Sequence, residues 1–185
     1  MLDLSAAGAR LRAKLRSAIA EQDMQQQYKN LVHAAVRRLQ QLTAPLNEGL
    51  KNLYPRTQLD IMSDQMTQNL LRTLVHSGLD RDIIFRWNRC TLVAPFSHPG
   101  LVTLRMSRSA ELFSDGDFLL RLWVHVGLEG VMESVFDWQS PDLSAPVGSV
   151  QMEKMLQDGI AELAQGLKQG VEAFVEHLPA DEEAG

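Results

Sequence analysis

Residues 4–42 contain no proline and carry apolar side chains three and four positions apart. Leu4, Leu11, Leu15 and Ile19 open the series; Met24, Tyr28, Leu31, Ala35, Leu39 and Leu42 continue it beyond a glutamine-rich stretch. This spacing predicts one long helix. At 1.5 Å per residue it would reach about 55–60 Å, more than a compact domain of this length is wide. A helix that overhangs its own domain must bury its stripe elsewhere, most simply in a dimer or a long helical hairpin. Leu4, Leu11, Leu15, Ile19, Tyr28, Leu31, Leu39 and Leu42 are therefore the expected self-association residues.

Thr43 followed by Pro45 reads as a break and restart, because proline suits an early helical position. Leu46, Leu50 and Leu53 extend the apolar series to Tyr54-Pro55, which should stop it. A further helix is expected from an N-cap at Ser63, with Met66, Leu70, Leu71, Leu74 and Val75 as its face and Gly78 as its stop. Residues 1–79 thus form a helical half.

The pattern changes near residue 80. Segments 83–93, 101–112, 118–128 and 131–138 are rich in β-branched and aromatic residues, with Pro and Gly between them. They predict a four-stranded antiparallel meander across 80–139. After a loop over 140–147, Met155, Leu156, Ile160, Leu163, Leu167, Val171, Phe174 and Leu178 mark a long helix over 148–178, capped by Ser149 and closed by Pro179. Gly159, Gly166 and Gly170 within it each cost about 1 kcal/mol relative to alanine, which points to close approach by another helix or the sheet. The acidic tail 180–185 is expected to be disordered. The fold class is α+β, a single domain over 1–179, with the last helix packed on the sheet.

The strand faces follow from alternation. In FLLRLWVHV, residues 118–126, the even positions are all apolar, whereas Arg121, Trp123 and His125 share the other face. Pairing Leu112 with Leu120 sets Glu111 against Arg121, Ser109 against Trp123 and Ser107 against His125. Pairing Leu128 with Met132 sets Trp123 against Asp137. Arg121 then reads as a surface-pair residue. The orientation of 83–93 is open, since neither of its faces is cleanly apolar. If Trp87 joins Trp123, the face holds two indoles with Arg89, Arg105, Arg121 and His125 around them, a candidate groove for an anionic or planar ligand. Cover by a helix or a second subunit is the alternative.

Chemical motifs are sparse. The sequence has no phosphate-cradling glycine loop, nucleophile elbow, HExxH or Cys/His metal spacing, so neither a cofactor nor a metal is expected. His33, His76 and His177 read as surface residues, and His98 sits in a hairpin loop where function could reside. His125, Glu133 and Asp137 share a sheet face and could be drawn as an acid–base group, though that chemistry needs a dry pocket. Cys90 reads as a structural thiol. A lone cysteine fits a reducing compartment, the N-terminus lacks the apolar core of a secretory signal, and no apolar run approaches transmembrane length, so a cytoplasmic location is expected.

The net charge of −5 conceals an asymmetry. Residues 1–40 carry seven basic and three acidic side chains (+4); residues 141–185 carry nine acidic and two basic (−7). Oppositely charged ends favour pairing within or between subunits over an external polyanion. Arg10, Arg12, Lys14 and Arg16 flank the first stripe, so a nucleic acid or an anionic membrane is the weaker alternative. The reading that results is a non-enzymatic cytosolic interaction or adaptor protein that pairs with itself or with a protein partner.

Overall fold

The computed structural model describes residues 5–53, 57–68, 83–95, 102–113, 115–128 and 134–179. Helix α1 (Ser5–Lys51) leads into strands β1 (Thr57–Gln68), β2 (Ile83–Pro95), β3 (Thr103–Phe113), β4 (Asp117–Gly127), β5 (Ser134–Gln139) and β6 (Leu143–Pro146), and helix α2 (Val150–Glu176) follows. The α+β class, the long first helix and the C-terminal helix on the sheet are as the sequence predicts. The expected acidic tail and His76, His98 and Glu133 lie outside the described residues.

Four expectations are corrected. First, 1–79 is not a helical half: residues 57–68 form β1, antiparallel to β2. The alternation in this segment is broken by an irregularity between Met62 and Gln65, which hides its period. Pairing with the thirteen residues of β2 then overrides weak local helical spacing. Second, among the described residues the sheet has six strands in the order β1-β2-β3-β4-β5, with β6 also paired to β4. Residues 143–146, expected in a loop, supply β6.

Third, Pro45 does not interrupt α1, which runs through it. Proline removes one intrahelical N–H donor. The Thr43 hydroxyl bonds back to the carbonyls of Leu39 and Gln40 at 3.0 and 3.2 Å, and the buried face continues to Leu50. Packing on the sheet thus holds the helix together across the defect. The whole helix is about 70 Å long at 1.5 Å per residue.

Fourth, both hairpins are displaced by two residues from the expected register. Leu112 pairs with Phe118 rather than Leu120, and Val124 pairs with Trp138 rather than Phe136. The first turn is tighter because Gly116 adopts φ +90°, open to glycine at little steric cost, and its N–H reaches the Phe113 carbonyl at 3.0 Å. An even shift leaves every side chain on its predicted face.

The inner face carries the core. Leu104, Met106, Ala110 and Leu112 of β3 lie beside Phe118, Leu120, Leu122, Val124 and Val126 of β4, all essentially inaccessible to solvent. Helix α2 lies on this face through Met152, Leu156, Ile160, Leu163, Leu167 and Phe174, spaced three, four and seven apart. Ser149 caps α2, its Oγ accepting from the Met152 N–H at 3.1 Å. The α2 glycines mark close approach to the sheet. A Cβ on Gly166 would lie 2.5 Å from the Trp138 ring, and one on Gly170 would lie 2.6 Å from Val124 Cγ1. Helix α1 covers the β1–β2 side of the same face through Val32, Ala35, Val36 and Leu39, and Arg38 meets Glu153 of α2 at 3.0 Å.

Candidate functional site

Strand pairing decides which of the candidate ligand residues share a surface. Thr91, opposite Met106, and Trp87, opposite Ala110, point to the inner face, where Trp87 is completely buried. Arg89 is on that side too, opposite Arg108. Arg105, Arg121, Trp123 and His125 lie on the outer face. The two-indole groove does not form, because Trp87 and Trp123 stand on opposite sides of the sheet. Trp87 could satisfy the mixed pattern of β2 from either side, and only a completed core selects one.

The outer face is ordered by ion pairs. Glu111, with its side chain 8% exposed, accepts from Arg86 through Oε1 at 2.7 and 2.8 Å and from Arg121 through Oε2 at 3.2 Å. Arg121 Nε also donates to Asp142 at 3.0 Å, and that bond is the leading reason its pKa is raised. Arg121 is thus a surface-pair residue, meeting Glu111 diagonally rather than directly across the ladder. Trp123 is half-buried, opposite Ser107 of β3 and Gln139 of β5. The contacts of both helices fall on the inner face, leaving Trp123 with no described element above it.

His125 and Asp137 are directly opposite each other, with Nδ1 and Oδ1 2.5 Å apart. The Asp137 carboxyl is held below its ordinary range, first by a hydrogen bond from Ser134 and then by the one from His125. Their side chains are 40% and 59% exposed, so this pair lacks the desolvation that tunes an acid–base site. Cys90 is half-buried in register with Ser107. Elsewhere, His33 packs edge-on against Phe85 with ring centroids 6.1 Å apart, and His177 closes α2, its Nδ1 2.8 Å from the Ala173 carbonyl. Among the described residues no three His, Cys, Asp or Glu side chains cluster as a metal site.

Sequence reasoning missed Arg108. It occupies a core-facing position between Met106 and Ala110, is 1% exposed, and donates through Nη2 to Thr91 Oγ1 at 2.9 Å. Thr91 in turn bonds Asn47 of α1 at 3.1 Å. This polar chain ties the late turns of α1 to the sheet. An arginine inside an otherwise apolar alternation was the available signal.

The second candidate surface is α1 itself. Every described side chain from 9 to 27 is exposed, a stretch of helix projecting past the domain. Leu11, Leu15 and Ile19 are 60%, 52% and 57% exposed. Of the expected self-association residues, Leu39 is fully buried within the subunit, and Tyr28 and Leu42 pack on the same core. They are not available to a partner, because the later half of α1 is spent on its own sheet. Leu31, 37% exposed, lies beside Gly148, and Leu4 falls outside the described residues. The two halves also present different faces. At about 100° per residue, Leu11, Leu15, Ala18 and Ile19 centre about 75° around the helix from the buried series Val32, Val36, Leu39 and Thr43. What reads as one stripe in the sequence is two, and the first is left open.

Comparison with family models, with curated proteins and with solved structures finds no match to this chain. Among the described residues no helix is long and apolar enough to cross a membrane.

Proposed function

We propose that this chain is a non-enzymatic interaction protein of the cytoplasm that self-associates through the projecting part of α1. The observation that carries this reading is the trio Leu11, Leu15 and Ile19, each more than half exposed on one face of a helix that leaves its own domain. Three large aliphatic side chains on successive turns gain on the order of 1 kcal/mol each from further burial. An exposed apolar patch with a polar surround is the usual mark of a contact surface. The lone cysteine accords with a reducing compartment.

Sedimentation of the full chain against a Leu11→Glu/Leu15→Glu/Ile19→Glu variant tests the proposal. The substituted positions are outside the core, so the variant should fold with an unchanged near-UV spectrum. The expected result is a dimer mass for the native chain at micromolar concentration and the 20.7 kDa monomer for the variant. Equal masses would overturn the reading.

A second reading places a ligand on the outer sheet face, favoured by the open position of Trp123 beside Arg105, Arg121 and His125. It predicts a fluorescence change on titration with planar anions that Trp123→Phe abolishes; an unchanged response would exclude it.

A further inference from the structure

The projecting part of α1 carries its charges in a pattern that specifies how two copies would meet. With the apolar face of Leu11, Leu15, Ala18 and Ile19 as reference, about 100° per residue places Arg10, Lys14 and Glu21 along one flank. Arg12, Arg16 and Asp23 fall along the other. On each flank the basic residues come first in the chain and the acidic residue comes last. All of these described side chains are exposed, and none has an ion-pair partner within its own chain among the described residues.

Two helices facing each other through this surface can run parallel or antiparallel. In a parallel pair, opposite flanks meet at the same level: Lys14 confronts the partner's Arg12 and the partner's Arg16, and Glu21 confronts the partner's Asp23. Like charges then oppose each other along the whole seam, which is unfavourable. In an antiparallel pair each flank meets its own copy in reverse. Lys14 comes against the partner's Glu21 on one side, and Arg12 against the partner's Asp23 on the other. Both pairs are satisfied by the same register, and that register sets Leu15 within one residue of the level of the partner's Ile19. One alignment therefore serves the apolar face and sets a basic residue against an acidic one on each flank, with Arg16 approaching its own copy near the axis.

We infer that the occupant of this face is a second copy of the same helix, antiparallel, with its twofold axis between Ser17 and Ala18. This rests on the self-association proposed above and adds its geometry. The alignment places the two globular bodies at opposite ends of a shared helical pair.

The test uses full-length chains in a Cys90→Ser background, one bearing Leu15→Cys and the other Ile19→Cys, with affinity tags of different mass. Mixed and mildly oxidised, they should give chiefly the mixed disulfide that joins one chain of each kind. Predominant crosslinking of the Leu15→Cys chain to itself would overturn the antiparallel arrangement while leaving self-association intact. A native chain that sediments as a monomer would overturn both. Lys14→Glu supplies a second measurement of opposite sign for the two arrangements. It weakens an antiparallel dimer about fivefold by setting the introduced carboxylate against the partner's Glu21, and it tightens a parallel one by relieving repulsion from the partner's Arg12 and the partner's Arg16.

Discussion

Replacing Gly166 with alanine should destabilise this protein although the substitution adds a better helix former. In an exposed helix the exchange gains about 1 kcal/mol. Gly49 of α1, with nothing within 4 Å of where its Cβ would sit, provides that reference. At Gly166 the new methyl would lie 2.5, 2.8 and 2.9 Å from three atoms of the Trp138 ring, about 1 Å inside ordinary contact. A rigid indole yields only by rotating as a unit or by lifting α2 from β5, and overpacking of this kind costs about 1–3 kcal/mol. The net expectation is a loss of up to about 2 kcal/mol. In a domain of this size, that lowers Tm by several degrees, at about 2–4 °C per kcal/mol. Thermal and urea unfolding of Gly166→Ala and Gly49→Ala would be compared directly. In a Trp138→Ala background the clash disappears, so Gly166→Ala should there become stabilising, a reversal that a double-mutant cycle reads as coupling between the two positions. If Gly166→Ala raises Tm as Gly49→Ala does, the close seating of α2 on β5 is wrong.

Two further outcomes are expected. Glu111→Gln keeps the side-chain shape but removes the charge that Arg86 and Arg121 share. Because those arginines remain 49% and 32% exposed, the loss should be about 1–2 kcal/mol, below that for a fully buried pair, and a urea midpoint at pH 7 measures it. For Asp137, whose pKa in the folded protein lies below the ordinary 3.8, the ionised form stabilises the fold. That contribution is present above the unfolded pKa and is lost as pH falls through the folded one, so it fades below about pH 4. Carboxyl NMR should place the Asp137 midpoint under 3.8, and Ser134→Ala should raise it more than His125→Ala. A midpoint at or above that ordinary value would refute the hydrogen-bonding account.

The sequence was legible where a periodicity reports a buried face. The even positions of 118–126 are the core side of β4, and Ser149 caps α2. Register was less legible, because the apolar pattern repeats every two residues and cannot distinguish a pairing from one displaced by two. β1 is not legible locally, because its bulge breaks the alternation and its stability comes from pairing with β2. The outer-face candidates were only partly legible. Arg121, Trp123 and His125 could be placed together from β4 alone. Trp87 and Arg89 could not be oriented until β2 met the core. In α1, spacings of three and four persist from Leu11 to Leu42, yet the face rotates between Ile19 and Val32. A count of intervals conceals that change, and a helical wheel exposes it.

The margin of the sheet beside β4 has its own consequence. It is made of two short strands, β5 and β6, divided at 140–142 by Pro141. There the Ser140 hydroxyl accepts from the Leu122 N–H at 3.1 Å, in place of a backbone partner. A second proline, Pro146, ends β6. An incoming strand from another molecule would find two brief stretches interrupted by residues without an N–H, rather than a continuous template. This border resists the endless strand-on-strand stacking that turns folded molecules into fibres.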